Sequence, residues 1–150
     1  MQTEEKIKLE LENKFPFLKD AVMIRRQRRL FADVPQDKVY EVFGYLKEQM
    51  QFVVLSAITG LDQLQNFAVI YHLSNDSGIV ISLKTNISHE DPRIRSVMSF
   101  FPNAEMYERE LDDLLGIKVE GLPDGRRYPL PDDWPTDEHP LRKDWRPKDA

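Results

Sequence analysis

The chain has 150 residues, of which 41% are hydrophobic and 31% charged; this composition suits one folded domain and excludes a disordered chain or a membrane protein. Its net charge of −5 argues against a nucleic-acid-binding protein, because such proteins usually carry a basic surface. It has no cysteine, so thiolate-held iron–sulfur clusters, cysteine nucleophiles and disulfides are all excluded.

Hydrophobic residues are not grouped into a long segment. No apolar run approaches the roughly 18 residues of a membrane-spanning helix. The N-terminal segment is polar and charged, unlike a signal peptide. We therefore expect any membrane association to run through partner proteins.

The first third of the chain predicts two helices and a strand. Residues 3–14 carry two apolar residues four apart, which is typical of a short amphipathic helix. Residues 21–32 predict one strand, which Pro35 brings to an end. Residues 37–49 place apolar side chains at helical spacing, so we predict a helix with one buried face.

Four arginines lie within the first predicted strand: Arg25, Arg26, Arg28 and Arg29. They suit a nucleic-acid-binding strip, an exposed edge strand that charge protects from aggregation, or a docking surface for an acidic partner. We favour the edge strand, because no aromatic residues are interleaved with the arginines and the whole chain is acidic.

The middle of the chain predicts three more strands. Residues 52–59, 67–73 and 79–84 are rich in valine, isoleucine and aromatic residues. The sequence from Asn75 to Gly78, N-D-S-G, predicts a hairpin turn, because asparagine, aspartate and glycine tolerate a positive φ.

Two helices are predicted next. Asp91-Pro92 has the form of a helix start, and apolar residues continue at helical spacing to position 101. Asn103 then caps a second helix, which Gly116 ends.

The segment from residue 120 onward has a different character. It holds six of the ten prolines and both tryptophans, and it shows no periodicity. Tyr128, Trp134 and Trp145 are residue types enriched at protein interfaces. We interpret it as an extended docking arm; the alternative is a disordered charged tail. The predicted fold is a two-layer α+β domain over residues 1–119, with helices packed on a mixed, mostly antiparallel sheet, and residues 120–150 form the arm.

Charged residues recur four apart on the helix after Asn103. Arg109 can pair with Glu105 and with Asp113 on one face. Three interpretations are open: a solvated charged face, a partner-facing patch, and a metal or acid/base site. The solvated face is favoured, since no histidine lies nearby in sequence. His72, His89 and His139 share no metal-ligand spacing, so we expect structural or surface roles for them.

Three ordered blocks carry a family resemblance. Residues 108–117 read E-R-E-x-x-D-x-x-G-I, residues 121–127 read G-L-P-D-x-R-R, and residues 139–144 read H-P-L-R-K-D. They resemble the signature of the 30-kDa subunit of complex I. Leu122 stands where that family usually has histidine. The run L-P-D-D-W-P at 130–135 is more similar to the homologous subunit of energy-converting nickel–iron hydrogenases.

The resemblance implies a non-catalytic subunit that holds no cofactor. Its implied partners are the large quinone-reductase or hydrogenase-like subunit and the small iron–sulfur subunit, which carry the iron–sulfur clusters and any nickel–iron centre. The implied location is the cytoplasmic side of the membrane, attached through those partners. The residues that we expect to bind partners lie in the helix and the arm: Glu108, Arg109, Glu110, Asp113, Arg126, Arg127, Trp134, His139, Pro140, Leu141, Arg142, Lys143, Asp144 and Trp145.

The sequence is also compatible with two other functions. One is a small soluble enzyme that uses the carboxylates of Glu108, Asp112 and Asp113 for acid/base chemistry. The other is a free-standing regulatory binding module. The sequence does not decide whether the parent complex is a hydrogenase or a quinone oxidoreductase, nor which ion it pumps.

Overall fold

The computed structural model describes residues 2–148 and confirms an α+β fold. The α-helices are α1 (Glu4–Lys14), α2 (Val39–Glu48) and α3 (Ala104–Leu115), with one 3-10 turn at Pro16–Leu18. The strands are β1 (Val22–Arg26), β2 (Arg29–Asp33), β3 (Val54–Asp62), β4 (Asn66–Ser74), β5 (Val80–Ser88), β6 (Arg93–Arg95) and β7 (Lys118–Glu120).

Five strands form one mixed sheet in the order β1-β2-β5-β4-β3. Strands β1 and β2 are antiparallel, whereas β2 runs parallel to β5, with Phe31 opposite Ser82. The β4–β5 turn is the predicted N-D-S-G sequence, in which Gly78 has a φ of 73°. The short strands β6 and β7 form a separate parallel pair. The predicted mixed sheet is therefore confirmed.

The described residues divide into two compact units. The first comprises residues 2–57 and 70–85, and the second comprises residues 58–69 and 86–148. In the first unit, α1 buries Ile7 and Leu11 and α2 buries a four-residue apolar stripe, as the helical spacing predicted. Phe43 of α2 packs edge-on against Tyr71 of β4, with ring centroids 4.7 Å apart.

In the second unit, helix α3 packs closely on strand β3 at Gly60. A β-carbon on Gly60 would lie 2.5 Å from a methyl group of Leu115 and 2.7 Å from one of Leu111. Any larger residue at position 60 would therefore have to displace the side chains of these two leucines.

The prediction of one strand over residues 21–32 is wrong. The segment folds into the antiparallel hairpin of β1 and β2, which turns at Gln27 and Arg28. Arg28 adopts a φ of 61°, and its N–H donates a hydrogen bond to the carboxylate of Glu4. A contact from α1 thus fixes a turn that has no glycine, proline or asparagine to mark it.

The prediction of a helix over residues 91–101 is also wrong. Residues 93–95 form β6, which pairs with β7 with Ile94 opposite Val119. Only one turn follows, in which the N–H groups of Phe100 and Phe101 donate to the carbonyl of Val97. Three of the apolar residues, Ile94, Val97 and Phe101, are still buried, but pairing with a distant strand outweighs the local helical pattern.

The segment after β7 lies on the surface of the second unit. Of the described residues beyond Ile117, none is buried, and none beyond β7 belongs to a helix or strand. The boundary between a core at 1–119 and an arm at 120–150 stays a prediction. Within residues 2–148, no helix combines the length and the hydrophobicity that crossing a membrane requires.

Candidate partner-binding site

Helix α3 presents its acidic residues differently from the predicted solvated face. Glu108 and Asp113 are buried, with 2% and 6% of their surface exposed. The helix ends at Gly116, which has a φ of 72° and donates its N–H to the carbonyl of Asp112. Glycine adopts this left-handed conformation more readily than other residues do, and the sequence predicted that Gly116 ends the helix.

Asp113 is the centre of a hydrogen-bond network that joins α3 to the C-terminal segment. Its Oδ1 accepts from Nε and Nη2 of Arg127 at 2.9 and 2.6 Å, and its Oδ2 accepts from the N–H of Leu130 at 2.7 Å. Its backbone carbonyl accepts from Nδ1 of His139 at 2.9 Å, so the proton of a neutral His139 lies on Nδ1. Both carboxylate oxygens of Asp113 are therefore committed to the segment that follows β7.

Arg109 makes a second link between α3 and that segment. Its Nη2 donates to Glu105 Oε1 and to the carbonyl of Pro123, each at 2.8 Å. Only 11% of the Arg109 side chain is exposed. A β-carbon on Gly125 would lie 2.5 Å from Arg109 Nη2, so the backbone at Gly125 approaches the guanidinium closely.

The block at residues 139–144 lies against the C-terminal end of α3. A β-carbon on Gly116 would lie 2.7 Å from Cδ2 of His139, so glycine is required there by space as well as by φ. The N–H of Leu141 donates to the carbonyl of Leu114 at 3.0 Å, and Arg142 Nε donates to that of Leu115 at 2.7 Å. The segment thus satisfies carbonyl groups that a helix end leaves unpaired.

The same block also binds Asp62 at the end of β3. Asp62 Oδ2 accepts from the N–H of Lys143 at 2.8 Å, and Oδ1 accepts from His89 Nε2 at 2.8 Å and from the N–H of Leu64 at 2.9 Å. Burial disfavours the charge on Asp62, but these hydrogen bonds outweigh burial and hold its pKa below the usual 3.8. Beside this carboxylate, the His89 ring stacks on Phe67 with centroids 4.0 Å apart.

A cavity of about 260 Å³ opens beside α3. Asp112 and Asp113 line it, but Glu108 does not. Three cationic side chains and a histidine complete the charged part of its wall: Arg109, Lys118, Arg127 and His139. The three carboxylates of the enzyme hypothesis are therefore not brought together, and Asp113 is occupied by Arg127 and Leu130.

Glu108 is directed into the interior of the second unit. Its Oε1 accepts from the N–H of Val97 at 2.7 Å, while its Oε2 is buried and has no hydrogen-bond partner among the described residues. Burial raises the pKa of Glu108 above its ordinary value of 4.5, and hydrogen bonding from the Ser96 side chain and the Val97 N–H opposes that rise only in part. The 2% exposure of Glu108 leaves almost none of it on the surface, and that it binds a partner stays a prediction.

The two tryptophans form a cluster within the C-terminal segment. Their ring centroids are 6.0 Å apart. Trp134 Nε1 donates to the carbonyl of Glu138 at 2.9 Å, and Trp145 Nε1 donates to its Oε2 at 3.3 Å. Lys148 Nζ lies 2.6 Å from Glu138 Oε1. Local contacts thus position both predicted anchors.

The other predicted binding residues lie nearer the solvent. Arg126 is 81% exposed and pairs with Asp132, and Asp144 is also exposed. Leu141 is 54% exposed, and Glu110 lines a small apolar slot beside it. Pro140 is half-buried. That these residues bind a partner stays a prediction.

The three histidines make separate contacts: His72 with Ser82, His89 with Asp62, and His139 with the carbonyl of Asp113. Within residues 2–148 no group of three or more potential metal-ligating side chains is found. The sequence interpretation missed the roles of Asp62, Phe67 and His89. No local pattern marks them, because Asp62 and Lys143 are 81 positions apart.

Comparison with known proteins agrees with the three sequence blocks. The profile of the family described as "Respiratory-chain NADH dehydrogenase, 30 Kd subunit" matches residues 32–150. The chain belongs to this family. A relative of similar length is the C subunit of the F(420)H(2) dehydrogenase of Methanosarcina mazei, which is 38% identical over 138 residues, covering 90% of this chain and 87% of that protein.

A longer relative is the C/D subunit of the NADH-quinone oxidoreductase of Shewanella oneidensis. It is 33% identical over 124 residues, which cover 75% of this chain and 20% of that protein. Among solved structures, the membrane-bound sulfane sulfur reductase, an archaeal respiratory membrane complex, contains a chain that matches with a TM-score of 0.85 and 31% identity, over 95% of this chain and 85% of that one. These relatives are subunits of oxidoreductase complexes.

Proposed function

We propose that this chain is a non-catalytic structural subunit of a membrane-attached redox complex of the NADH:quinone oxidoreductase or energy-converting hydrogenase type. It docks the large catalytic subunit and the small iron–sulfur subunit on the cytoplasmic side of the membrane and binds no cofactor. The coarser part, membership of an oxidoreductase complex, rests on the relatives. The docking role and the absence of catalysis rest on the site.

The observation that carries the docking role is the convergence of the three blocks. The Asp113 carboxylate binds Arg127 of the second block, and the Asp113 carbonyl binds His139 of the third. Several polar groups of the blocks thus hold an irregular segment on α3. Such a segment presents side chains in a set arrangement without regular structure, which lowers the conformational entropy that binding costs.

The exposed side chains of this segment suit a protein interface. Tyr128 is 43% exposed and Leu141 is 54% exposed. The Trp134–Trp145 pair is half-buried in the structure, so part of each ring remains available for contact. Aromatic and apolar anchors of this kind provide most of the binding energy in protein interfaces. The longer C/D relative supports a large partner subunit next to this chain.

The enzyme alternative receives less support. General acid/base catalysis needs a carboxyl group that can exchange a proton with a substrate in a cleft. Asp113 is held by Arg127 and Leu130, and Glu108 is buried outside the cavity. Only Asp112 lines the cavity without such a commitment to the C-terminal segment, although Lys118 lies 3.7 Å from it.

The test is purification of the tagged chain from detergent-solubilised membranes of its source organism. We expect a large catalytic subunit and an iron–sulfur subunit to co-purify in fixed stoichiometry. We also expect the separately produced chain to show only aromatic absorption. Stoichiometric iron or flavin in the separate chain would contradict the cofactor-free role, and a tagged chain recovered alone would contradict the docking role.

A further inference from the structure

The hairpin between β3 and β4 presents a leucine at its tip. Leu64 is 70% exposed and has a φ of 72°. Four non-glycine residues adopt a positive φ within residues 2–148, namely Asp20, Arg28, Gln51 and Leu64, and only Leu64 among them is apolar. For a bulky side chain this conformation is strained, whereas asparagine or glycine adopts it readily.

The polar frame of the turn holds Leu64 in place. Its N–H donates to Oδ1 of the buried Asp62 at 2.9 Å. Around it, the N–H of Gln63 donates to the carbonyl of Asn66 at 2.9 Å, and Asn66 Nδ2 donates to Gln63 Oε1 at 3.1 Å. The tip is therefore a built turn whose conformation does not depend on the leucine side chain.

Leu64 stabilises the folded chain little. A side chain that is 70% exposed gains little from leaving water, and the positive φ adds a cost. Asparagine would remove both disadvantages. A residue that is unfavourable in conformation and in exposure, yet held by the hydrogen bonds of its turn, is the type of site where stability and function conflict.

We propose that Leu64 is an anchor that inserts into an apolar pocket of a partner subunit of the redox complex. This inference rests on the proposed function and adds to it a contact outside the C-terminal segment. Asp62 links the two, because it holds the N–H of Leu64 on one oxygen and the N–H of Lys143 on the other. The tip is thereby continuous with the block at 139–144, in which Leu141 is also exposed.

The occupant that fits is a protein pocket. One leucine buries too little surface to hold a protein on a lipid bilayer, where even a single acyl chain binds marginally. Its sequence neighbours are the uncharged amides Gln63 and Gln65. The adjoining block adds two basic residues, Arg142 and Lys143, which is fewer than the roughly four to eight clustered cations that bind anionic lipid. In a protein interface the same leucine adds its contribution to that of the other anchors.

Leu64→Asn in the full chain tests the proposal. The matched control is Leu9→Gln, which changes a leucine that is 60% exposed on α1 of the other unit. Each tagged variant is produced in the source organism alongside the untagged wild-type chain. The assembled fraction is the ratio of tagged variant to untagged wild-type chain in the purified complex. The variants are also produced separately, and their thermal unfolding is measured. Vesicles of phosphatidylcholine with phosphatidylglycerol form the lipid arm.

We expect Leu64→Asn to melt at the wild-type temperature or up to about 3 °C higher. We expect its assembled fraction to be lower than that of the tagged wild-type chain by a factor of about ten or more. Leu9→Gln should compete like wild type.

Equal competition by Leu64→Asn would overturn the anchor while leaving the proposed function standing. A lower melting temperature would overturn it too, since Leu64 would then pack on its own chain. Vesicle binding that Leu64→Asn abolishes would overturn the protein pocket in favour of lipid. Absence of the wild-type chain from the complex would remove both the anchor and the proposed function.

Discussion

Asp62 and Lys143 stand 81 positions apart in the sequence, yet the N–H of Lys143 donates a 2.8 Å hydrogen bond to Asp62 Oδ2. This bond joins the end of strand β3 to the C-terminal segment. The same carboxylate accepts from His89 and from the N–H of Leu64. One buried aspartate therefore fixes three separate segments of the second unit.

Replacing Asp62 tests this junction. Asp62→Ala leaves two backbone N–H groups and His89 without their acceptor, so we expect the free energy of unfolding to fall by about 2 kcal/mol or more. Urea denaturation monitored by fluorescence measures the change. Asp37→Ala is the control, because Asp37 is exposed, and it should leave the unfolding midpoint nearly unchanged. Equal midpoints for the two variants would refute the structural role of Asp62.

Substitutions of the adjacent residues Arg126 and Arg127 should differ in their effect on stability. The Arg127 side chain is 20% exposed and pairs with the nearly buried Asp113, whereas that of Arg126 is 81% exposed. Arg127→Ala removes the partner of a buried carboxylate, so we expect a loss of about 2–4 kcal/mol in stability. Arg126→Ala should show no measurable change. Thermal melts of both variants decide the matter, and similar losses would mean that the Asp113 network does not hold the segment.

The buried carboxyl of Glu108 predicts a pH dependence of a definite sign. Its pKa is raised in the folded chain, so the folded state holds the proton more tightly than the unfolded state. Stability from this group is present below about 4.5, the unfolded value, and is lost as the pH rises through the folded pKa. Glu108→Gln keeps an oxygen acceptor for Val97 and carries no charge. We expect this variant to be more stable than wild type at neutral pH and less dependent on pH.

Glu110→Gln on the same helix is the matched control for Glu108→Gln, since it makes the same chemical change on a less buried residue. Denaturant midpoints of the three proteins between pH 4 and 8 (about the range in which a raised carboxyl pKa acts) provide the comparison. A Glu108→Gln variant that lost stability at every pH would contradict the account of Glu108, because it would show that the charged form is the favoured one.

Much of the fold was predictable from local patterns. The spacing of apolar residues located α1 and α2, the sequence N-D-S-G located the β4–β5 turn, and Gly116 located the end of α3. Each of these signals lies within the element that it predicts. A propensity or a spacing acts locally, so it remains valid when the chain folds.

The features that the sequence did not predict depend on contacts between distant parts of the chain. The turn at Arg28 depends on Glu4 from α1, and β6 depends on its pairing with β7. The burial of Glu108 and the junction at Asp62 likewise depend on segments remote in sequence. The three sequence blocks lie in the parts of the chain that the structure brings together around Asp113, and that these parts bind a partner stays a prediction. They did not predict that the blocks bind one another, since no spacing within a block contains that information.

The contacts of Arg109 predict that its substitution affects assembly of the complex and not the catalytic rate of the assembled complex. Its guanidinium links Glu105 of α3 to the carbonyl of Pro123 in the C-terminal segment, which is a structural contact. We expect Arg109→Ala to lower the amount of assembled complex in membranes and to leave the activity per assembled complex unchanged. Quantifying the complex on native gels and dividing the activity by that amount separates the two effects. Normal assembly with a collapse of specific activity would favour the catalytic alternative.

The central claim is that residues 120–150 dock this chain onto its redox complex, and removing them is the most direct test. Truncation after Glu120 takes away no buried side chain among residues 121–148, but it removes hydrogen-bond partners of the buried Asp62 and Asp113, so the remaining chain should still melt cooperatively, at a lower temperature. The measurement is a pull-down of the purified large subunit with the full-length and truncated chains, beside melts of both. We predict that the truncated chain folds and no longer binds. Binding retained at full-length strength by a folded, truncated chain would contradict the claim.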